Sequence, residues 1–187
     1  MCLNLLTLEV RRHSIRKIDG GSQLSQPGVT LARNIGAELG PFARVVTSVL
    51  PRSRETALAM GFAVDFELVT LRTGNDSVYD VIGEFDWDSV PTPFVGTAEL
   101  MASDDNYRLY AHSLAALWRD ILTPLGPDDA ALFIGHAGEL EAALVACFPD
   151  SQHEDWGGMF QPMEGAKITF SGEPARFSSL EIIRLDA

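Results

Sequence analysis

The chain has 187 residues, of which 46% are hydrophobic and 21% are charged, a balance typical of a globular domain with an apolar core. The formal net charge of −12 disfavours nucleic acids and anionic membranes as partners, because both would meet a repulsive field. No apolar run approaches the length of a membrane span. We therefore expect one domain over residues 1–187, with neither nucleic acid nor membrane as a partner.

The cysteine content indicates a reducing compartment. Cys2 and Cys147 are too few for a disulfide framework, and they form no zinc-binding spacing with histidine. The amino terminus lacks a basic leading region and a small-residue cleavage site, so it does not predict a signal peptide. We expect a cytoplasmic protein with no metal and no other cofactor. The sequence does not fix the oligomeric state.

The first third of the chain alternates short apolar runs with helical patterns. Buried or β-branched runs predict strands, and apolar residues at helical spacing predict the helices between them. The predicted elements are a strand over Leu3–Val10, a helix over Gly28–Leu39, a strand over Arg44–Val49, a helix over Arg52–Met60 and a strand over Ala63–Leu71.

From residue 74 to residue 105 the pattern loses its period and carries Gly, Pro, Asp and Trp. We predict a long loop excursion here, with room for a short helix. Periodic patterns then return. They predict a helix over Tyr107–Leu122, a strand over Ala130–Ile134, a helix over Gly138–Cys147 and two tail strands, Ala166–Ser171 and Ser179–Leu185.

Strands that alternate with helices predict an α/β fold, a three-layer sandwich whose central sheet is mostly parallel, with helices on both faces. The tail strands could lie antiparallel at an edge. Ligands of such sheets bind outside the carboxyl ends of the strands. Three polar segments follow predicted strands here: Arg12-His13, Ser48–Thr56 and Gly135–Gly138.

Each of these segments suits phosphate chemistry. A histidine at a strand end beside a guanidinium is placed to accept a phosphoryl group, although a plain polar turn is the alternative. Arg52 lies at a strand-to-helix turn, where backbone N–H groups also favour an anion, unless it is only the exposed start of a helix. The glycines around His136 allow a ligand to approach closely, and a helix-capping histidine is the alternative there.

The segments in this order resemble the histidine phosphatase superfamily, also called phosphoglycerate mutase-like. RRHSIRK resembles the family's Arg-His-Gly opening, and LSQPGVTLARNIGAELG and TSVLPRSRETALAMG resemble the two stretches that follow it. IGHAGELEAAL resembles its late histidine segment, so the likeness spans most of the chain. It implies that Arg12, His13, Arg52 and His136 form the phosphate pocket, with His13 transiently phosphorylated.

The sequence departs from the family pattern at several positions. Ser14 replaces the usual glycine, and Arg16 stands where many members carry a small hydroxyl residue. We assign both to substrate binding, with Arg16 an additional guanidinium; the alternative is that Arg16 only pairs with Asp19. Ser53 and Glu55 replace the family's Ala and Gln, changes that need not touch the phosphate.

No single carboxylate stands out as the proton donor. In the family a carboxylate shortly after the third strand often protonates the leaving oxygen. Asp76 and Asp80 are the best-placed candidates here, with Glu84 and Glu139 behind them, and each could instead be a solvated surface acid. Ala137 rules out the arrangement of the acid-phosphatase branch, in which an Asp directly follows the late histidine.

The resemblance therefore implies a phosphatase, a metal-independent phosphoric monoester hydrolase that acts through phosphohistidine on His13. Its substrate would be a small phosphorylated molecule or a phosphoprotein. Two alternatives stay open: a phosphomutase, and a phosphate-binding or partner-binding module of the same fold without turnover. An unrelated nucleotide-binding α/β domain is disfavoured, because the chain has neither a GxxxxGK[ST] loop nor a GxGxxG fingerprint.

Overall fold

The computed structural model describes residues 5–69, 76–172 and 176–185, and its described strands form one six-stranded sheet. The order across the sheet is β3-β2-β4-β1-β5-β6. β1 to β4 run parallel to one another, and β5 and β6 add an antiparallel edge. The strands are β1 (Leu6–Arg12), β2 (Arg44–Ser48), β3 (Phe66–Leu68), β4 (Ala130–Gly135), β5 (Gly165–Ser171) and β6 (Arg176–Ile183).

Helices cover both faces of this sheet, because β2 and β4 carry apolar side chains on both sides. The helices are α1 (Gln26–Gly36), α2 (Pro51–Ala59), α3 (Asp76–Glu84), α4 (Pro93–Ser103), α5 (Asp105–Leu122) and α6 (Glu139–Cys147). Leu8 and Val10 of β1 join the larger core cluster, which α4, α5 and α6 complete. Leu132 and Ile134 of β4 join the smaller cluster, which α1 and α2 cover. The predicted α/β sandwich, with its antiparallel tail strands, is confirmed.

Two predicted segments differ in the structure. The third strand spans only Phe66–Leu68 of the predicted Ala63–Leu71, of which residues 70 and 71 lie outside the described part of the chain. The predicted loop excursion over residues 74–105 is wrong, because α3 and α4 occupy most of it.

α4 escaped prediction because its less buried side also carries apolar residues, Val95 and Ala98 among them, so the segment lacks an amphipathic period. Phe94, Leu100 and Met101 are buried along it. Its start nevertheless carries a local signal, since the Thr92 hydroxyl accepts a hydrogen bond from the backbone N–H of Val95 and Pro93 occupies the first turn.

The parallel register brings three strand ends to one edge of the sheet. Arg12 at the end of β1 lies opposite Gly135 at the end of β4, and Thr47 near the end of β2 lies opposite Ile134. α2 begins directly after β2, and α6 begins shortly after β4. None of the helices in the described ranges is long and apolar enough to span a membrane.

Candidate active site

A cavity of about 350 Å³ opens at this edge of the sheet. Six of the residues singled out in the sequence line it together, although they come from three distant segments: Arg12, His13, Ser14, Arg16, Arg52 and His136. Ile15, Ala137 and Pro162 complete the wall. The carboxyl ends of β1, β2 and β4 thus bring the predicted phosphate-binding groups to one place.

His13 is held in a single tautomer by its neighbours. It directly follows β1, its backbone N–H donates to the Gly135 carbonyl, and its side chain is only 7% exposed. Nδ1 donates to the Ser14 carbonyl at 2.7 Å, and Nε2 accepts a hydrogen bond from Arg52 Nε at 3.0 Å. The lone pair of the neutral ring therefore lies on Nε2, the atom that faces the guanidinium.

Burial lowers the pKa of His13 to about 4, and the nearby charges of Arg52, Arg12 and Arg16 add to this effect, whereas the hydrogen bond to Ser14 opposes it. The ring is therefore neutral at pH 7. A neutral imidazole with an oriented lone pair is the form of histidine that acts as a nucleophile.

His136 follows β4 and is oriented by two serine hydroxyls. Its Nε2 lies 2.7 Å from Ser48 Oγ and 3.4 Å from Ser53 Oγ. The Ser48 hydroxyl donates its proton to Ser53 Oγ, so it accepts from the Nε2–H of His136. The two histidine rings meet edge to face, with centroids 5.2 Å apart.

Arg12 is linked through the backbone of Phe160 to a buried carboxyl group, that of Glu141, which was not predicted from the sequence. Arg12 Nη1 donates to the Phe160 carbonyl at 2.5 Å, and the Phe160 N–H donates to Glu141 Oε1 at 2.9 Å. The second oxygen of Glu141 accepts from the Gly138 N–H, beside His136. Burial lowers the pKa of Arg12, and the charge of Glu141 opposes that shift. A glutamate at the third position of a helix that begins after glycine is the one local signal for this role.

Arg52 lies in the first turn of α2, as predicted. Its Nη1 donates to Ser22 Oγ at 3.1 Å. Thr56, one turn later, donates its hydroxyl proton to the Arg52 carbonyl and accepts from the N–H of Ser14. Arg54 points elsewhere: its side chain is 54% exposed and forms an ion pair with Glu67 at 2.9 Å.

Ser14 lines the cavity, but its hydroxyl proton is committed to the Gly28 carbonyl at 2.8 Å. A hydroxyl that donates to the backbone has no proton left for a phosphate oxygen, so the geometry gives Ser14 a structural role in place of the predicted substrate contact. The contact requires close packing at Gly28, where a Cβ would overlap the carbonyl oxygen of Ile15.

Arg16 is exposed at the mouth of the cavity. An antiparallel bridge to Leu24 fixes its backbone. The ion pairs found among the described residues do not include one with Asp19, the alternative partner considered above.

Three of the four candidate proton donors, Asp80, Glu84 and Glu139, have described side chains, and none of these lines the cavity. Asp80 and Glu84 are exposed on α3, and Glu139 is half-buried in the first turn of α6. Asp76 begins α3, but its side chain lies outside the described part of the structure. Within the described ranges no carboxylate lines the cavity, and no group of three or more His, Cys, Asp or Glu side chains is arranged to hold a metal ion.

No protein-family model and no curated protein matches the sequence. The fold, in contrast, matches solved structures over nearly the whole chain. A phosphoglycerate mutase from Bacillus anthracis is 18% identical, with 97% of this chain and 93% of that chain covered and a TM-score of 0.65. A phosphoserine phosphatase from Entamoeba histolytica, solved with 3-phosphoglyceric acid, is 13% identical, with 96% and 98% covered and a TM-score of 0.61.

A mycobacterial glucosyl-3-phosphoglycerate phosphatase, solved with VO3, is 18% identical, with 98% of this chain and 100% of that chain covered and a TM-score of 0.56. These three proteins are members of the histidine phosphatase superfamily. The chain therefore has the phosphoglycerate mutase-like fold, and the resemblance predicted from its sequence is confirmed.

Proposed function

We propose that this protein is a metal-independent phosphohydrolase that cleaves a phosphate monoester through a phosphohistidine on His13. The observation that carries the proposal is the neutral His13 ring, whose Nε2 faces Arg52 in a cavity walled by three arginines, Arg12, Arg16 and Arg52. The neighbours in fold support a phosphatase-type function, since they include two phosphatases and a mutase.

In this mechanism Arg12, Arg52 and His136 bind the phosphoryl oxygens and neutralise their charge. The Arg52 N–H that now contacts Nε2 would donate to a phosphoryl group at the same position. The Nε2 lone pair attacks phosphorus, the bond from phosphorus to the ester oxygen breaks, and that oxygen leaves with the electron pair. Water then attacks the phosphohistidine, releasing phosphate and restoring His13.

An acidic side chain donates a proton to the leaving oxygen. The same side chain, now deprotonated, then removes a proton from the attacking water. We propose Asp76 or Asp80 for this role. The two residues are four positions apart on α3, so they share one face of that helix.

The lack of a carboxylate among the described cavity residues favours one second candidate function, a phosphate-binding or partner-binding module without turnover. A phosphomutase, which returns the phosphoryl group to another hydroxyl, is a further alternative within the same fold. We propose a small phosphorylated molecule or a phosphoprotein as the ligand and the cytoplasm as the location.

The test is a panel of phosphate monoesters assayed for released phosphate, with and without EDTA. We expect turnover that EDTA does not reduce. His13→Ala should lower the turnover number by at least about 10³-fold, while circular dichroism shows an intact fold. His112→Ala, which changes an exposed histidine on α5, is the matched control and should keep full turnover.

Rapid quenching during turnover should trap acid-labile, alkali-stable phosphate on the peptide that contains His13. Phosphate trapped on a serine or a carboxylate would contradict the phosphohistidine mechanism. Retained turnover in folded His13→Ala protein would contradict the whole proposal. Binding of the esters without any release of phosphate would instead identify the non-catalytic module.

A further inference from the structure

A second hollow, of about 330 Å³, lies between α5, the end of α6 and the start of β6, and we call it the α5–β6 pocket. The described residues that line it include His112, Arg119, Arg176 and Phe177. Phe177 pairs with Phe170 of β5, and Phe170 pairs with Leu6 at the start of β1. The candidate active site follows the end of β1, so the α5–β6 pocket lies at the opposite end of the sheet.

The α5–β6 pocket concentrates positive charge in a chain whose formal net charge is −12. Arg119 and Arg176 both line it, and no carboxylate among the described residues does. The surface arginines Arg54 and Arg108 each pair with a carboxylate, whereas the ion pairs found within the described ranges include neither pocket arginine. Like charges that share a small volume repel each other, and a bound anion relieves this repulsion.

Arg119 is supported by an aromatic ring that is itself held in place. Its guanidinium lies over the ring of Phe177, 5.9 Å from the ring centroid. The Phe177 ring contacts those of Phe170 and Phe148, with centroids 5.2 Å and 6.3 Å apart. Burial raises the pKa of the Cys147 thiol, which also lines the pocket, and the charge of Arg119 opposes this shift. The charge of Arg119 is therefore felt at the pocket wall.

The rest of the wall is apolar and small. His112, Ala116 and Arg119 are spaced four and three residues apart on α5, so they share one face of that helix. The methyl side chains of Ala115 and Ala116 leave open the space between the charged groups and the Phe177 ring. A hollow of this size that combines an apolar wall with a few charged groups has the composition of a small-molecule site.

We propose that the α5–β6 pocket is a second binding site for a small organic anion, whose oxyanion group lies between Arg119 and Arg176 and whose apolar body packs against Phe177 and the alanines of α5. Each guanidinium can give an oxyanion two parallel hydrogen bonds. The site does not depend on the function proposed for the cavity at the other end of the sheet, because none of the described residues that line one lines the other.

The test is a calorimetric titration with benzoate and with benzamide, which have nearly the same shape and differ in charge. We expect the parent to bind benzoate with a dissociation constant of about 1 mM or tighter, and benzamide at least about tenfold more weakly. Arg119→Gln and Arg176→Gln should each weaken benzoate binding at least about fivefold, since each removes a charge-assisted pair.

Three further variants locate the bound anion. Arg108→Gln is the matched control, because it removes the same charge from an exposed residue of the same helix that does not line the pocket. It should keep the parent's affinity, and so should Arg52→Gln, which alters the candidate active site instead. Ala116→Leu keeps both pocket arginines but fills the space beside them, so it should weaken benzoate binding at least about tenfold.

Four results would each overturn the proposal. In the first, the parent binds benzoate no more tightly than benzamide. In the second, the loss in Arg108→Gln equals that in Arg119→Gln, so that only the general field of α5 attracts the anion. In the third, Arg52→Gln loses affinity while the variants of Arg119 and Arg176 keep it, which places benzoate in the candidate active site. In the fourth, Ala116→Leu binds as the parent does, which places the anion outside the pocket.

Discussion

The floor and the rim of the cavity differ in how their side chains are held. The floor consists of Arg12, His13, Arg52 and His136, each of which has a hydrogen-bonding partner from another part of the chain. The rim consists of Arg16, which faces solvent; Asp80 and Glu84 on α3 are also exposed but do not line the cavity. A preorganised floor suits chemistry that is the same for every phosphate ester, whereas an exposed rim suits recognition of the part of the substrate that varies.

The proton donor offers the sharpest way to break this division, because we propose a catalytic group on α3, outside the floor. We expect one of Asp76→Asn and Asp80→Asn to lower kcat for an alkyl phosphate by about 10²- to 10⁴-fold. The same variant should lower kcat for p-nitrophenyl phosphate by less than about threefold, because a good leaving group needs no proton.

Glu84→Gln neutralises the remaining candidate acid of the same helix, and Glu99→Gln, at an exposed acid of α4, is the control for this comparison. If all three α3 variants hydrolyse the alkyl ester as the parent does, the donor does not lie on α3. Glu139 would then be the candidate to replace next.

Arg52→Lys tests whether the floor depends on geometry or on charge alone. Lysine keeps the charge but loses the planar fork that spans two phosphoryl oxygens. We expect kcat to fall by about 10- to 1000-fold, on the order of 1.4 to 4 kcal/mol of transition-state stabilisation. Steady-state kinetics on a single ester would measure it.

Arg54→Ala is the matched control, since Arg54 lies two residues away on the same helix and pairs with Glu67 at the surface. Exposed ion pairs contribute little to stability, so this variant should behave like the parent. A strongly reduced kcat in Arg54→Ala, together with the parent's kcat in Arg52→Lys, would mean that the phosphate pocket had been assigned to the wrong arginine.

The buried His13 should also make the stability of the protein depend on pH. Its pKa is about 4 in the folded state and 6.5 when exposed, so between these values the unfolded chain binds the extra proton. Each unit of difference between the two pKa values corresponds to about 1.36 kcal/mol. Protonation of the unfolded chain therefore lowers the free energy of unfolding by about 3 kcal/mol as the pH falls from above 6.5 to 4.

Urea denaturation of the parent and of His13→Asn at several pH values isolates this contribution. Asparagine keeps a donor for the Ser14 carbonyl but does not titrate, so the variant should lose less stability than the parent between pH 6.5 and 4. His112→Asn, on the surface of α5, should follow the parent. If the free energy of unfolding of His13→Asn falls with pH as steeply as that of the parent, folding does not lower the pKa of His13.

The sequence predicted most of the floor because strand ends and the residues after them are local features. Arg12, His13, Arg52 and His136 each follow a predicted strand, and the parallel sheet brings such ends together. Glu141 could not be found in this way. Its second contact is the N–H of Phe160, 19 residues later in an irregular segment, and nothing in the spacing of GHAGELE points to that partner.

The hydroxyl of Ser53 was missed for a similar reason. Its link to Ser48 and His136 depends on how the first turn of α2 packs against the end of β4. The acids of α3 were proposed from their position in the chain, and that position does not decide between Asp76 and Asp80. Local patterns therefore predicted residues that meet at the cavity, and tertiary packing determined which other residues hold them.

Glu141→Gln tests how strongly the floor depends on such a hidden support. Glu141 is 1% exposed, and each of its carboxylate oxygens accepts one backbone N–H, from Gly138 and from Phe160. Glutamine keeps the size but places an NH2 group against one of these donors. We expect a loss of about 2 kcal/mol in the free energy of unfolding, since one hydrogen bond is removed and a buried N–H donor is left unpaired.

Activity should fall as well, because the Phe160 carbonyl holds Arg12 against the cavity. We expect kcat to drop by about tenfold with a smaller change in KM, measured at a temperature where the variant is fully folded. Glu181→Gln, the same substitution at an exposed residue of β6, should change neither quantity. If Glu141→Gln loses stability but keeps kcat, Glu141 supports the fold alone. If it loses kcat as predicted, the precise geometry of the floor depends on a residue one layer beyond those that we propose bind phosphate.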